Sequence, residues 1–318
     1  MFLNIMLLIA GLVILIYGAN WLVAGASAIA KKMNVSDLAI GLTIVSFGTS
    51  APELVVNTFA AYQGNADIVF GNVIGSNNFN LLAILGITGL VSPLIVQKST
   101  VWKEIPISLL AVILLFFLLN DEMLFGRPSF LSRLDGFILL AFFIGFLFYV
   151  YKQLGSDNGE VVHESQKPTW MLWGMIIGGL TGLVLGGRLV VTNAVNLAQM
   201  LGVSEKIIGL TIVAAGTSLP ELATSVVAAM KKNNDIAVGN IVGSNIFNIF
   251  FILAASSIVK PISYSITFNL DLYLLAAGTI FLFAAMFISG RKTLDRWEAA
   301  VLFSVYIGYT VWLVMKEL

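Results

Sequence analysis

Two glutamates stand within apolar stretches of the chain, and each ends a copy of the same short motif. Glu53 closes "GTSAPE" and Glu221 closes "GTSLPE". A carboxylate at the centre of a lipid bilayer costs about 2.5–3.5 kcal/mol on insertion scales, so an intramembrane glutamate indicates a functional site. A cation bound between two carboxylates removes that cost, and oxygen ligands suit a hard ion such as Ca²⁺. We therefore predict that the two glutamates hold a cation near the middle of the membrane.

The residues before each glutamate favour a broken helix. Pro52 lacks a backbone N–H, and its ring obstructs the carbonyl four residues earlier. Gly48 lowers the helix propensity nearby. We expect the helix to break around Thr49–Pro52, and the matching helix to break in the second copy. Backbone carbonyls freed by such a break can coordinate a cation where they line a cavity.

Hydroxyl and amide side chains at helical spacing supply neutral oxygen around the glutamates. A serine lies three residues before each glutamate, on the same helix face. A second motif, "GNVIGSNNFN" at 71–80 and "GNIVGSNIFN" at 239–248, places a serine four residues before an asparagine. The candidates are Ser50, Ser218, Ser76, Ser244, Asn80 and Asn248. The sequence leaves open whether Asn57 and Ser225, each four residues beyond a glutamate, contact the site or only pack beside it.

Both motif pairs belong to an internal repeat with an offset of 168 residues. Residues 34–53 match residues 202–221 at 13 of 20 positions, and residues 71–80 match residues 239–248 at 7 of 10. The identities fall on Gly, Thr, Ser, Pro, Glu and Asn, which a generic apolar helix avoids. The repeat therefore indicates an internal duplication and not a shared membrane composition.

The composition predicts an all-α polytopic membrane protein. Of the 318 residues, 58% are hydrophobic and 11% are charged, whereas soluble domains carry about 25% charged residues. Several apolar runs are longer than the roughly 18 residues that mark a spanning helix. Hydropathy predicts ten spans, at residues 2–29, 37–61, 68–91, 102–120, 134–152, 170–198, 206–230, 236–259, 268–289 and 297–315.

Five spans in each half predict two inverted repeats. We expect a first repeat at 1–153, a polar linker at 154–169 and a second repeat at 170–318. After an odd number of spans, the second copy enters the membrane from the opposite face, so the halves are related by an axis in the membrane plane. That axis brings both glutamates to the midplane and places the broken helices second and seventh in the chain.

The placement of Lys and Arg predicts the orientation of the chain. With the N-terminus outside, the inside connections hold 11 of the 17 basic residues and the outside ones hold 5. The positive-inside rule then places both termini outside and the linker in the cytoplasm of a cell-membrane protein. The first apolar run lacks a positive leading segment, so we expect it to be a span and not a cleaved signal peptide.

The sequence argues against several other classes of protein. A formal charge of zero gives no reason to expect nucleic-acid binding, and the absence of cysteine excludes thiolate ligands and disulfides. We expect no enzymatic activity and no cofactor, because an intramembrane protease needs an aspartate pair or a serine with histidine, and the single histidine, His163, lies in the linker. A cation channel would build a ring from several subunits, whereas two unequal halves favour a carrier.

These motifs resemble those of the sodium/calcium exchanger family, and the resemblance covers the whole chain. It implies a diamond of four helices around a calcium site flanked by sodium sites, with both ions moving in opposite directions through the same pathway. By that resemblance Glu53 and Glu221 bind calcium, and the same two residues also bind sodium. The other implied ligands are carbonyl groups of Thr49, Thr217, Ser46 and Ala214 and side chains of Ser50, Ser218, Ser76, Ser244, Asn80 and Asn248.

The resemblance also sets expectations for coupling. Potassium-dependent members carry an aspartate where this chain has Asn248, so we expect exchange without potassium. We expect three Na⁺ to move against one Ca²⁺, with transport of net charge, by alternating access in a monomer. The alternative is a calcium/proton antiporter that protonates the same glutamates. The first and sixth spans are expected to slide between the two states.

Overall fold

The computed structural model describes residues 1–126, 128–153, 167–202, 214–288 and 292–317. Within these ranges eight helices are long and apolar enough to cross a membrane, and a bent pair of helices would make a ninth. The prediction of an all-helical membrane protein with many spans is confirmed. Residues 206–213 of the predicted seventh span and residues 154–166 of the predicted linker, including His163, lie outside the described residues. The count of ten spans therefore stays a prediction.

The helices follow the predicted spans closely, and very short strands connect some of them. In chain order the helices are α1 Phe2–Lys32, α2 Asp37–Thr49, α3 Ala51–Gln63, α4 Ala66–Val91, α5 Thr100–Leu119, α6 Asp121–Phe125, α7 Arg133–Gln153, α8 Thr169–Met200, α9 Ala214–Gly216, α10 Leu219–Met230, α11 Asn234–Val259, α12 Ile266–Ile288 and α13 Arg296–Glu317. The strands are β1 Leu94–Ile95, β2 Phe130–Leu131, β3 Ile262–Ser263 and β4 Thr293–Leu294.

Two helices form the centre of the protein. In the most apolar stretch of α11, 94% of the residues are buried, and the value for α4 is 78%, whereas it is 17% for α13. These two central helices carry the Gly, Ser and Asn residues of the second motif. A polar side chain facing lipid lacks hydrogen-bond partners, so the polar motif lies inside and the purely apolar helices face outward.

Both glutamate-bearing segments are broken at the serine that precedes the proline. Ser50 separates α2 from α3, and the two helices meet at a 49° bend. Its φ and ψ are −87° and 6°, and those of Ser218 before α10 are −90° and 10°. These values lie in the sparsely populated bridge region that active-site residues often occupy. Pro52 and Pro220 stand in the first turn of the helices that follow, where a missing N–H is tolerated.

The central helices widen into π-helical turns next to the polar motif. One such turn spans Phe79–Ile84 in α4 and another spans Asn248–Ile252 in α11. A π turn inserts one extra residue and is frequent at functional sites. Each turn begins within one residue of the motif asparagine, so it changes the direction in which Asn80 and Asn248 point relative to an unbroken α-helix.

Two short antiparallel strand pairs join the two halves of the chain. β1, after α4, pairs with β4 before α13, and β3, after α11, pairs with β2 before α7. The end of each central helix is therefore tied to the last helix of the other half. These strand pairs give hydrogen-bond partners to backbone N–H and C=O groups of the connections, which would otherwise be unsatisfied.

The first and sixth predicted spans, α1 and α8, pack along their length through glycine. A Cβ atom added at Gly18 would lie 2.9 Å from the backbone of Gly179 and of Leu183. One added at Gly179 would lie 2.6 Å from the Leu22 nitrogen. Small residues allow helix backbones to approach this closely, which is how helices associate in lipid.

This close approach predicts that Gly179→Ala destabilises the protein, because backbone atoms cannot move aside as a flexible side chain can. We expect a cost of about 1–3 kcal/mol, the usual range for overpacking, seen as a lower melting temperature in detergent. Gly174→Ala on the same helix is the matched control, since nothing lies within 4 Å of its added Cβ. Equal melting temperatures for the two variants would contradict the packing described.

Candidate functional site

The two glutamates lie in the centre of the protein, and each accepts a hydrogen bond from the other half of the chain. Both are only 1% exposed. Ser50 donates its hydroxyl to Oε1 of Glu221 at 2.8 Å, and Ser218 donates to Oε1 of Glu53 at 3.5 Å. The structure thus brings the four motif residues together, with the serine of one half serving the carboxylate of the other.

Four oxygen atoms at this place are buried and accept no hydrogen bond. They are Oε2 of Glu53, Oε2 of Glu221, Oδ1 of Asn80 and Oδ1 of Asn248. Each half contributes the same two atoms, 168 residues apart. Buried acceptors without a partner are uncommon in native proteins, and a bound ion is one way in which such atoms are satisfied. Carboxylate and amide oxygens together form a donor set that fits a hard cation.

A quartet of asparagine amides fixes the direction of the free Asn80 and Asn248 oxygens. Asn80 donates its Nδ2 to Oδ1 of Asn245 at 3.1 Å, and Asn248 donates to Oδ1 of Asn77 at 2.9 Å. Asn77 and Asn245 donate in turn to each other's backbone carbonyl, at 3.2 and 3.3 Å. Because an amide nitrogen can only donate, these bonds leave the oxygens of Asn80 and Asn248 as the free ends.

Two further asparagines hold the threonines at the helix breaks. Thr49 donates its hydroxyl to Oδ1 of Asn240 at 3.1 Å, and Thr217 donates to Oδ1 of Asn72 at 3.3 Å. Their hydroxyls are therefore engaged with the central helices, while the resemblance assigns their carbonyls to the site.

The four asparagines that hold site residues, Asn72, Asn77, Asn240 and Asn245, were missed from the sequence. A signal was present, because each belongs to the second motif and recurs with the offset of 168 residues. What the sequence lacked was the partner of each amide, which lies on another helix.

Three of the remaining candidates contact residues of this centre. Oγ of Ser244 lies 3.0 Å from Oγ of Ser50, and Ser76 donates to Oδ1 of Asn72 at 3.5 Å. Ser46 is buried, and its carbonyl oxygen accepts from the Thr49 hydroxyl at 3.3 Å and the Ser50 N–H at 3.0 Å. Ala214 is the first residue of the short helix α9.

Local backbone geometry favours negative charge at both glutamates. Each lies in the first turn of a helix that starts at the break, where the helix dipole stabilises a carboxylate. Pro52 has no N–H, so the Gly48 carbonyl lacks its intrahelical donor, and Pro220 does the same to Gly216. No cluster of three or more acidic or histidine side chains occurs in the described part of the chain. The site therefore combines two negative charges with neutral oxygens.

Comparison with known proteins gives a consistent result. The family model described as sodium/calcium exchanger protein matches residues 3–152 and 171–315. The chain is 32% identical over 345 residues to the sodium/calcium exchanger MaX1 of Methanosarcina acetivorans, covering 97% of each chain. It is 38% identical over 267 residues to the inner membrane protein YrbG of Escherichia coli, covering 80% of this chain and 79% of that one.

A solved structure agrees with the fold. The sodium-calcium exchanger NCX_Mj, soaked with 10 mM Na⁺ and no Ca²⁺, superimposes with a TM-score of 0.82 at 32% identity, covering 96% of this chain and 97% of that one. The matched regions include both glutamates and both copies of the second motif. The resemblance inferred from the motifs is confirmed, and the chain belongs to the sodium/calcium exchanger family of membrane transporters.

Proposed function

We propose that this protein exchanges Na⁺ for Ca²⁺ across a cell membrane at the site between Glu53 and Glu221. The observation that carries the proposal is the set of four buried oxygens without hydrogen-bond donors, two from these carboxylates and two from Asn80 and Asn248. One cation bound among them satisfies all four at once. Two relatives, MaX1 and NCX_Mj, are named as sodium/calcium exchangers, which supports the choice of ions.

The charge of the site favours electrogenic exchange. Two carboxylates and one Ca²⁺ sum to zero, whereas two carboxylates and three Na⁺ leave one positive charge. Asn80 and Asn248 have neutral amide side chains, so neither position adds a third carboxylate to balance an additional K⁺. We infer a ratio of three Na⁺ to one Ca²⁺ and no requirement for potassium.

The high cost of moving an empty site explains why the protein exchanges ions and does not leak them. Moving two uncompensated carboxylates past an apolar barrier costs far more than moving them with a bound cation. The protein then changes its open side only when Ca²⁺ or Na⁺ occupies the site. Both ions compete for the same carboxylates, so release of one permits binding of the other.

For the architecture we propose ten spans arranged as two inverted repeats, residues 1–153 and 170–318, in a monomer. Reciprocal hydrogen bonds support this arrangement, since Ser50 serves Glu221 while Ser218 serves Glu53. We further propose that both termini lie outside and that the linker at 154–169 is cytoplasmic. The ions are substrates, and the proposal needs no cofactor.

Proton coupling is the alternative, because the same paired glutamates can carry protons in place of Na⁺. The serines at both helix breaks favour sodium, since Ser50 and Ser218 add hydroxyl oxygens beside the carboxylates. The two mechanisms differ in the gradient that drives calcium uptake, so transport in sealed vesicles separates them.

The first prediction concerns the carboxylates. In proteoliposomes loaded with Na⁺, we expect Glu53→Gln and Glu221→Gln each to reduce ⁴⁵Ca²⁺ uptake more than about a hundredfold. Removing one charge from a buried ion pair costs about 3–5 kcal/mol, and each 1.4 kcal/mol is about a tenfold change in affinity. Glu104→Gln is the matched control, because Glu104 is also fully buried but is hydrogen-bonded by Tyr149 away from the site. Uptake that survives in either site variant would exclude this site.

The second prediction concerns membrane potential. With Na⁺ inside and Ca²⁺ outside, each turnover carries two positive charges in and three out. An inside-positive potential, set with valinomycin and a K⁺ gradient, should therefore accelerate calcium uptake, and an inside-negative potential should slow it. Vesicles with equal K⁺ on both sides give the reference rate. A rate independent of potential would indicate an electroneutral exchange.

The third prediction concerns protons. With no Na⁺ present, a pH gradient of either direction should drive no ⁴⁵Ca²⁺ uptake above that of protein-free vesicles. The same preparation given a Na⁺ gradient, with pH clamped equal on both sides, shows that the protein is active. Calcium uptake driven by pH alone would favour the proton antiporter.

A further inference from the structure

Most hydrogen bonds of the site recur in both halves, but several equivalent contacts differ, and one of these differences leaves two buried atoms without partners. On α11, Asn240 donates its Nδ2 to the Ser225 hydroxyl at 3.0 Å and to the Glu221 carbonyl at 3.4 Å. The equivalent atoms in the first half are Nδ2 of Asn72 and the side chain of Asn57. There, Nδ2 of Asn72 and Oδ1 of Asn57 are both buried and both without partners.

This unmade bond leaves a donor and an acceptor that suit each other. Asn57 is fully buried, and its Nδ2 donates to the Glu53 carbonyl at 2.7 Å. Its Oδ1 is therefore free to accept a hydrogen bond. A buried polar atom without a partner costs about 1–3 kcal/mol, so a hydrogen bond between these two atoms would remove that cost from both.

The neighbouring contacts differ in the same sense. The part of the site around Thr49, Asn240 and Ser50, where the bond is made, is one corner of the site and is tightly packed. Thr49 is 1% exposed, Asn240 is 0% exposed, and Ser50 donates to Glu221 at 2.8 Å. At the other corner Thr217 and Asn72 are only half-buried, and the corresponding serine bond to Glu53 is 3.5 Å long. One corner of the site is therefore closed and the other is loosened.

A cavity of about 580 Å³ lies against the loosened corner. Its lining includes Thr217, Gly216 and Pro220 at one helix break, Pro52 at the other, and Gly187 and Arg188 of α8. The half-buried Thr217 is the residue at which this cavity meets the site. Because Thr217 is half-buried whereas Thr49 is only 1% exposed, we take the loosened corner as the open side of the site in this conformation.

We propose that these two contacts form a pair of alternating latches. In the state seen here the Asn240–Ser225 bond is made and the Asn72–Asn57 bond is broken. In the opposite state the Asn72–Asn57 bond forms, the Asn240–Ser225 bond breaks, and access moves to the other corner. The inference rests on the proposed alternating access, because only a carrier that opens each side in turn needs both arrangements of one duplicated motif.

Asn57 and Ser225 are therefore positioning residues and not ligands of the ion. Each gives its latch an acceptor, and the latch connects the glutamate-bearing helix to the neighbouring central helix. Two nearly isoenergetic states respond strongly to the loss of one hydrogen bond. A net bond energy of about 0.5–1.5 kcal/mol corresponds to a population change of about two- to tenfold.

The test uses two cysteine reporters in a chain that has no cysteine of its own. Gly187→Cys lines the open cavity, where an added Cβ lies 3.8 Å from the Pro220 ring and so fits. Ala19→Cys stands at the equivalent position 168 residues earlier and is fully buried in this state. In proteoliposomes with equal Na⁺ on both sides, a small charged methanethiosulfonate reagent labels each reporter. The ratio of the two rates follows the populations of the two states.

Removing each acceptor should shift that ratio in opposite directions. Ser225→Ala weakens the latch seen here and should lower the ratio of rates at 187 and 19 by about two- to tenfold. Asn57→Ala weakens the other latch and should raise the ratio by a similar factor. Ser225→Thr, which keeps the hydroxyl acceptor, should leave the original ratio unchanged.

A purely structural role predicts another result. It would lower the melting temperature of both variants and move the ratio in one direction or leave it unchanged. That result, or a shift in only one alanine variant, overturns the latch. The labelling requires neither a sodium nor a calcium gradient, so it reports on the latch even if transport assays identify protons as the driving ion. Failure of the proposed exchange and failure of the latch are thus separate outcomes.

Discussion

The burial of two like charges is the constraint from which the rest of the structure follows. Glu53 and Glu221 are almost completely removed from solvent, and two carboxylates at low dielectric are tolerable only with compensation. Three features provide part of it without a bound ion. Helix N-termini point at both carboxylates, a hydroxyl from the opposite half binds each one, and neutral amides surround them. Free oxygens remain on both carboxylates, and in the proposed function a bound cation supplies the missing compensation.

Because each half supplies groups that contact the other half's residues, neither half can form the site alone. Each carboxylate depends on a serine from the other repeat, and the asparagine quartet is closed only when α4 and α11 meet. Strand pairs β1–β4 and β2–β3 tie the ends of those central helices to the opposite half. This interface holds the proposed ligands, and it is also the surface along which we propose that the halves rearrange. In that mechanism the same contacts govern ion binding and conformational change.

The sequence was informative where the physical cause is local. A proline four residues after a glycine predicted a break around Thr49–Pro52 and its counterpart in the second half, and apolar runs predicted the helices, because both effects act within one turn or one segment. The roles of Asn72 and Asn240 were not predicted, because they depend on which helix lies opposite. An asparagine in a membrane helix can be a ligand or can hold one, and only the partner of its amide decides between them. The π-helical turns were also missed, since they arise from packing in the centre.

The differences between the halves are as informative as their likeness. In a perfectly duplicated site the two access states would have equal energy, and the ions alone would select between them. Here the latch acceptor is Asn57 in one half and Ser225 in the other. An amide reaches farther than a hydroxyl and is held by its second bond to the Glu53 carbonyl, so the two latches close at different helix separations. In the proposed mechanism, sequence divergence at a position that touches no ion thus sets which side the carrier prefers, while the carboxylates and amides proposed to bind the ion stay alike.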